Sequence, residues 1–377
     1  MNAPKQSNTG MKIAFLWLLV FMYLGTALVF QMLLSVGVIE KTPPQIVDKP
    51  AMPEGGIIPS EDVAFNLDAA KQFLQQKLVK PNGHVDLYWT LDPLQSYPGK
   101  EQTNSEAISY YLLWAAQEND KQSFDRALQY MQTYMLQKDL GYMMWRLEAD
   151  ESVQGDGSNV ASDADLRAIK ALFIAQNQWG DEKYSAQIDS LANALEIVAI
   201  TDTNLLAPYG GSSGGNSSWM AKEVWLSYVD MTVFRDLAQR RGEPWNSVYN
   251  NMKDLILRSQ IYNGLYNSMI TENGDYGNGI DAGGYSINSL WIMVRSAESG
   301  DPDLMLSANK SLQFYKLKYT QDNVISQSYD SSGNAVIKED APWVYALVGR
   351  AAILLGDVAF SQDMIEKLIG YQSLDTA

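Results

Sequence analysis

Acidic residues at the starts of two predicted helices are the best candidates for chemistry in this sequence. Asp163 and Asp165 open the apolar stretch ASDADLRAIKALFIAQNQWG (161–180), and Glu106 lies in TNSEAISYYLLWAA (103–116). Carboxylates at such positions can cap free N–H groups and complement the helix dipole, which is an ordinary structural role. The alternative is that they face a substrate as acid–base groups.

The composition restricts which other groups could act with them. The chain of 377 residues has no Cys and one His, so thiolate catalysis, Cys-based metal sites and multi-His metal sites within one chain are excluded. His84 lies in PNGHVDLYW, without a nucleophile beside it, and is interpreted as a structural residue. Acid–base chemistry must therefore come from Asp and Glu, and we expect neither a cofactor nor a metal.

The charge and the aromatic content indicate the class of ligand. A net charge of −16 argues against nucleic acid, whose affinity comes mainly from Lys and Arg on phosphates, and permits a neutral or cationic ligand. The 10 Trp and 21 Tyr residues can pack in a core, but they also suit a cleft that stacks on sugar rings.

An almost continuous apolar run, residues 13–39, is long enough to span a bilayer. The Lys residues before it place residues 1–12 in the cytoplasm and the rest of the chain outside, by the positive-inside rule. Residues 40–60 contain five prolines and are interpreted as a spacer. The sequence thus predicts a cell-membrane protein with one transmembrane helix and an extracytoplasmic catalytic domain over residues 61–377.

A turn that carries an acidic residue and opens a helix recurs five times after the spacer. The spacings between successive acidic residues are 61, 62, 58 and 56. Such a period indicates repeated supersecondary units, here a helix that is apolar nearly all round followed by an amphipathic one. The acidic residues are Asp120, Asp181, Glu243, Asp301 and Asp357.

The apolar helices are predicted to form an inner ring and the amphipathic helices an outer ring. With a further helix over residues 61–79, this arrangement predicts an all-α fold, an (α/α)6 toroid. In such a ring the inner helices point the same way, so residues at their N-termini would meet at one end. The predicted inner helices are 104–118, 163–178, 222–240, 284–298 and 341–355, and the outer helices are 122–137, 182–197, 245–260, 301–316 and 358–370.

These features resemble glycoside hydrolase family 8, a family of inverting glycosidases with an (α/α)6 barrel. ASDAD before a helix that ends in AQNQW is similar to the family signature, although Ala168 and Ile169 stand in swapped order and Phe173 replaces a smaller residue. TNSEAISYYLLWAA is similar to the segment that carries the catalytic acid, and WLSYVD (225–230) to a downstream Ser-Tyr segment. The matches follow the family's order over about residues 80–355.

The resemblance implies a role for each matching residue. Glu106 matches the general acid, Asp163 the residue that binds and distorts the central sugar, and Asp165 a support for Asp163. Tyr228 matches a substrate-binding position of the Ser-Tyr segment.

The catalytic base does not follow from the same matches. Asn288, in YSINSLW, stands where many members have an Asp, and an amide cannot take a proton from water. Asn288 is therefore a candidate for substrate binding. The loop ENGDYGNGIDAGG (272–284) offers Asp281 as the first candidate for the base, with Asp275 and Glu272 as alternatives. The departure at Asn288 leaves open a catalytically weakened protein.

Aromatic residues near the inner-helix starts are candidate stacking platforms for sugars, although core packing explains any one of them nearly as well. The stretch PYGGSSGGNSSW (208–219) lacks the Gly-Lys-Ser/Thr ending of a phosphate loop and is interpreted as a flexible loop at the edge of the cleft. The candidate platforms are Trp89, Trp145, Trp219 and Trp343.

The leading hypothesis is a membrane-anchored inverting endo-glycosidase that cleaves a β-linked polysaccharide, with an exopolysaccharide as the expected substrate and a polysaccharide synthase or export complex as the expected partner. The second hypothesis is a catalytically weakened glycan-binding protein that uses the same cleft. The third is an α-helical scaffold that binds a protein partner.

Overall fold

A computed structural model of the chain describes residues 67–87, 101–215, 217–278 and 284–371. The predicted tail, membrane helix and spacer, residues 1–60, lie outside the described residues, as do Trp89 and Asp281. In the part that is described, no helix combines the length and the apolar character needed to cross a bilayer.

Helices dominate the described residues, which form two compact units. One unit comprises residues 67–200 and 207–221, and the other comprises residues 201–206 and 222–371. Short β-pairs join the loops between helices within each unit. The predicted helical class is therefore confirmed for both units.

The first unit alternates helices with short strands. In chain order its elements are α1 (Leu67–Phe73, continued by a π-helical turn, Leu74–Leu78), β1 (Thr103–Asn104), α2 (Ser105–Gln117), α3 (Lys121–Tyr130, continued by a π-helical turn, Met131–Met135), β2 (Arg146–Leu147), β3 (Val160–Ala161), α4 (Ser162–Trp179), α5 (Glu182–Val198), β4 (Tyr209–Gly214) and β5 (Ser217–Met220).

The second unit repeats the helical hairpin pattern. In chain order its elements are β6 (Val224–Trp225), α6 (Met231–Arg241), α7 (Trp245–Ser259), β7 (Met269–Ile270), β8 (Tyr276–Gly277), α8 (Ile287–Glu298), α9 (Pro302–Asp322), β9 (Ser328–Tyr329), β10 (Ala335–Ile337), α10 (Pro342–Leu354) and α11 (Val358–Ile369).

The recurring acidic turns begin the second helix of each hairpin, as the sequence predicts. Asp120 accepts a hydrogen bond from the N–H of Ser123, and Asp181 accepts one from the N–H of Lys183, both over 3.0 Å. Asp301 and Asp357 cap α9 and α11 in the same way. These side chains satisfy donors that the first turn of a helix leaves unpaired.

The predicted difference between the two helices of a hairpin is present in the first unit. Eleven of the thirteen residues of α2 are buried, against five of the ten in its partner α3. Helix α2 also packs on α4. The residue that follows the end of α4 is Gly180, with φ +67°. A glycine adopts this left-handed conformation without steric cost, so α4 can stop there.

The structure corrects one predicted helix boundary and one predicted loop. The helix predicted over residues 222–240 begins at Met231, because the preceding residues form β6 and a 3₁₀ turn, and Asp230 caps the helix through the N–H of Thr232 at 3.1 Å. The Gly/Ser stretch predicted as a loop is a hairpin of β4 and β5, in which Gly211 pairs with Trp219. Backbone pairing overrides the loop-like composition there.

Candidate active site

Glu106 lies in the first turn of α2 and does not cap it. Asn104 caps the helix, since its side-chain oxygen accepts a hydrogen bond from the N–H of Ala107 at 2.7 Å. The N–H of Ser105 donates to the carbonyl of Trp145 at 2.9 Å, which attaches the start of α2 to the loop around Trp145. The Glu106 carboxyl is thus free for another role, and its residue is partly exposed.

The paired aspartates at the start of α4 are not caps either. Ala161, in the extended conformation, precedes the helix, and among the described residues no side chain caps its first turn. The hydroxyl of Ser162 donates instead to the carbonyl of Pro208 at 3.1 Å. Asp163 and Asp165 are 5% and 0% exposed. Their burial needs partners other than the helix N–H groups.

Arg167 is the partner of Asp163. One turn along α4, its Nη2 lies 2.7 Å from Oδ2 of Asp163. Its Nη1 donates to Oγ of Ser109 on α2 at 3.0 Å, and its guanidinium lies 3.8 Å from the centre of the Tyr110 ring. Burial disfavours the cation, but Tyr110, Asp163 and Glu106 together raise the pKa of Arg167. The guanidinium of Arg167 therefore stays charged beside the Asp163 carboxylate.

Glu106 has the protonation behaviour of a general acid. Burial of its carboxyl and the negative charge of Asp163 raise its pKa to about 7, against the opposing effect of Arg167. A carboxyl with this pKa holds its proton for part of the time near neutral pH and can donate it to a leaving group. The structure thus places Glu106 close to Asp163, as the sequence predicts, and adds Arg167 to the pair.

Asp165 has a different environment from Asp163. Burial raises the pKa of its carboxyl well above the ordinary value, and the charge of Asp163 adds to the effect, although the N–H of Met143 donates to Oδ1 at 3.1 Å. Asp165 is fully buried, so it does not offer a surface to a substrate. Its hydrogen bond holds the segment that leads to Trp145, which makes its support for the site indirect.

Two of the predicted aromatic platforms stand beside these helix starts. The N–H of Trp145 donates to the carbonyl of Asn159 at 2.8 Å, close before β3, and Arg146 stacks 4.7 Å above the Trp145 ring. Trp219 lies on β5, with 39% of its surface exposed, and packs edge-to-face with Tyr209 at 6.2 Å. Because β4 pairs with β3, this aromatic pair is attached to the strand that leads into α4.

The predicted residues of the second unit have varied surroundings. Tyr228 lies in the 3₁₀ turn before α6 and packs edge-to-face on Trp225 at 5.1 Å. Asn288 is half-buried in the first turn of α8. Asp275 is exposed in the turn between β7 and β8, where its N–H donates to the Thr271 hydroxyl at 3.2 Å.

Trp343 and His84 are both buried. Trp343, at the start of α10, is 5% exposed, which is the environment of a core residue and leaves little surface for a sugar. His84 lies with Nδ1 3.0 Å from the Tyr130 hydroxyl and Nε2 3.0 Å from Asp86, which confirms its structural interpretation. Among the residues that the structure describes, no group of three or more His, Asp or Glu side chains is arranged to hold a metal ion.

Sequence reasoning missed Arg167. An Arg four residues after an Asp on a helix is a recognisable ion-pair spacing, so the signal was present. Its importance depends on burial and on the packing of α4 against α2, which bring Ser109 and Tyr110 to the same guanidinium.

Comparisons with known proteins identify similar sequences. A family model described as glycosyl hydrolases family 8 matches residues 95–297, a range that includes Glu106, Asp163 and Asn288. The reducing-end xylose-releasing exo-oligoxylanase Rex8A of Paenibacillus barcinonensis is 26% identical over 159 residues, which are 41% of this chain and 40% of that protein. Endoglucanase C of Ruminiclostridium cellulolyticum is 25% identical over 285 residues, 71% of this chain and 58% of that protein. The chain therefore spans less than two thirds of these relatives.

A solved structure shares the fold. The structure described as a novel alpha-amylase from Clostridium perfringens superimposes with a TM-score of 0.69 at 23% identity, and the match covers 81% of this chain and 87% of that one. At this identity the likeness concerns the fold and says nothing about the substrate.

Proposed function

This chain belongs to glycoside hydrolase family 8, and we propose on that premise that it hydrolyses glycosidic bonds within a β-linked polysaccharide, with inversion at the anomeric carbon. The observation that carries the proposal is the group at the starts of α2 and α4. There Glu106, with a pKa of about 7, lies beside Asp163, whose Oδ2 is 2.7 Å from Nη2 of the buried Arg167. A carboxyl that holds its proton near neutral pH is what the general acid of acid–base hydrolysis requires.

In the proposed reaction Glu106 protonates the oxygen of the leaving sugar. Asp163 binds the sugar at the cleavage point through Oδ1, which is buried and has no hydrogen-bond partner among the described residues. A second carboxylate takes a proton from water, which attacks the anomeric carbon from the opposite face. Asp281, outside the described residues, remains the first candidate for this base, and the exposed Asp275 the second.

Two finer proposals concern the fold and the location of the protein. The alternation of buried and half-exposed helices, together with the family's barrel, supports the (α/α)6 toroid. The apolar residues 13–39 support a membrane anchor that holds the hydrolase on the extracytoplasmic side. An exopolysaccharide would be the substrate available there, and a synthase or export complex its source.

Release of reducing ends from a panel of α- and β-linked polysaccharides tests the hydrolase. We expect Glu106→Gln to lower the rate on the best substrate by roughly 100-fold or more, because the amide has no proton to give. Glu118→Gln is the matched control, since Glu118 follows the other end of α2, where it pairs with Lys71. Equal rates for wild type and Glu106→Gln would exclude Glu106 as the acid.

A glycan-binding protein is the second candidate, because Asn288 cannot accept a proton where many family members have an Asp. Retained binding of a polysaccharide without any hydrolysis would favour this function. A protein that neither binds nor cleaves any member of the panel would contradict both candidates.

A further inference from the structure

Arg167 connects the two helix starts that carry the proposed chemistry. Its side chain is 3% exposed, and its guanidinium contacts Asp163 on the same helix at 2.7 Å. It also donates to the hydroxyl of Ser109 on α2, and this hydroxyl donates in turn to the carbonyl of Glu106 at 3.0 Å. The ring of Tyr110 covers the guanidinium at 3.8 Å. An ion pair that only stabilised α4 would need none of the contacts with α2.

We propose that Arg167 is a positioning residue, which fixes the carboxylate of Asp163 across the first turn of α2 and so keeps Glu106 and Asp163 in one geometry. The inference rests on the proposed function for its kinetic consequences, but its electrostatic consequences can be measured without a substrate. Arg167 does not touch the reacting atoms in this assignment. It acts through Asp163, Ser109 and Tyr110.

The charges around Glu106 determine the direction of each effect. Among the described residues, Asp163 raises the pKa of Glu106 and Arg167 lowers it, and both lie on α4. Tyr110 on α2 lies against the guanidinium, and the buried Asp165 is bound to the Met143 N–H. Removal of the cation therefore makes the Glu106–Asp163 pair hold its last proton more tightly, whereas removal of the Asp163 charge has the opposite effect.

Infrared titration of the full-length protein measures this proton directly. Each spectrum is compared with that of the same protein carrying the additional substitution Glu106→Gln, so that the difference reports the Glu106 carboxyl. We expect Arg167→Gln to raise the higher apparent pKa of the pair by about one unit, and Asp163→Asn to lower it. Arg167→Lys keeps the charge and is expected to stay near the wild type. If Arg167→Gln does not fold, Arg167→Lys carries the test through a lowered kcat, since it keeps the charge but loses the planar contacts with Ser109 and Tyr110.

The second readout is the dependence of kcat/KM on pH, measured with a polysaccharide that the wild type cleaves. Its basic limb reports the proton on the general acid of the free enzyme. We expect this limb to move to higher pH in Arg167→Gln and to lower pH in Asp163→Asn. The Gln variant should also lose roughly tenfold or more in kcat, and Arg167→Lys should recover part of it, because an ammonium restores the charge but not the planar contacts.

Arg350→Gln is the control for the loss of an Arg ion pair, and its pair with Glu298 is partly buried. Arg350 on α10 donates to Glu298 on α8 at 2.5 Å and lies in the second unit. We expect this variant to lose stability while both the titration of Glu106 and the basic limb stay in place.

Unchanged titration of Glu106 in Arg167→Gln, or shifts in the same direction for Arg167→Gln and Asp163→Asn, would overturn the inference. If no polysaccharide is cleaved by the wild type, the proposed hydrolase fails. The infrared titration still decides the role of Arg167 in that case.

Discussion

Glu106, the candidate general acid, is expected to lower the stability of the folded chain at alkaline pH. Burial and the neighbouring Asp163 favour the protonated carboxyl, so the folded chain binds this proton more tightly than the unfolded chain. Stability from this group is complete below the ordinary value of 4.5 and is lost as the pH rises through about 7. At higher pH the folded protein must hold a charge in a site that disfavours it.

We therefore expect Glu106→Gln to be more stable than the wild type in alkaline solution. The change in pKa from 4.5 to about 7 corresponds to roughly 3 kcal/mol of unfolding free energy. The advantage of the Gln variant should grow by about this amount between about pH 4 and about pH 8 in denaturant unfolding. Glu118→Gln controls for the loss of one carboxylate, and a constant difference between wild type and Glu106→Gln would show that the burial of Glu106 carries no such cost.

At the scale of elements, short strands position the helix starts. β1 pairs with β2 and leads into α2, while β3 pairs with β4 and leads into α4. Each helix thus begins at a point fixed by backbone hydrogen bonds. Because a side chain in the first turn follows the position of that start, the strands determine where Glu106 and Asp163 lie.

Removal of the cap of α2 should test this dependence. Asn104→Ala is expected to lower the unfolding free energy by about 1 kcal/mol, because the N–H of Ala107 loses its partner. Activity should fall as well, since the first turn that holds Glu106 loses its constraint. Asp120→Ala removes the cap of α3 and should cost about as much stability with activity retained. Equal activity in the two variants would contradict a positioning role for this cap.

At the scale of the whole molecule, the net charge and the apolar N-terminal segment bear on which substrates the chain can reach. The net charge of −16 disfavours polyanionic partners, and the apolar residues 13–39 are long enough for one membrane crossing. Anchoring would confine a hydrolase to polymers at the membrane surface. A hydrolase that acted on a soluble substrate would gain nothing from such confinement.

Cell fractionation tests the anchor. The full chain is expected to sediment with membranes and to resist extraction by high salt, whereas deletion of residues 1–40 should release it, because no apolar segment of similar length remains in the sequence. Replacement of residues 1–12 alone is the control and should leave the protein in the membrane fraction. A full chain found in the soluble fraction would rule out the anchor.

The sequence by itself determined the helical class and most helix positions, and it predicted a site that contains Glu106 and Asp163. Apolar periodicity and acidic caps act over a few residues, so they can be read directly from neighbours along the chain. Tertiary structure decided the rest. β4 and β5 form a hairpin where the sequence predicted a loop, and β4 also pairs with β3, a partner that lies far earlier in the chain.

The protonation of the site was likewise decided by packing. Asp163 and Asp165 are two residues apart and chemically identical, yet the first forms an ion pair with Arg167, while burial raises the pKa of the second. The sequence contains the i, i+4 spacing of Asp163 and Arg167, but it does not contain the contacts of Arg167 with Ser109 and Tyr110. Those contacts exist because α2 packs against α4, and the low dielectric environment between the helices makes each charge depend on its neighbours.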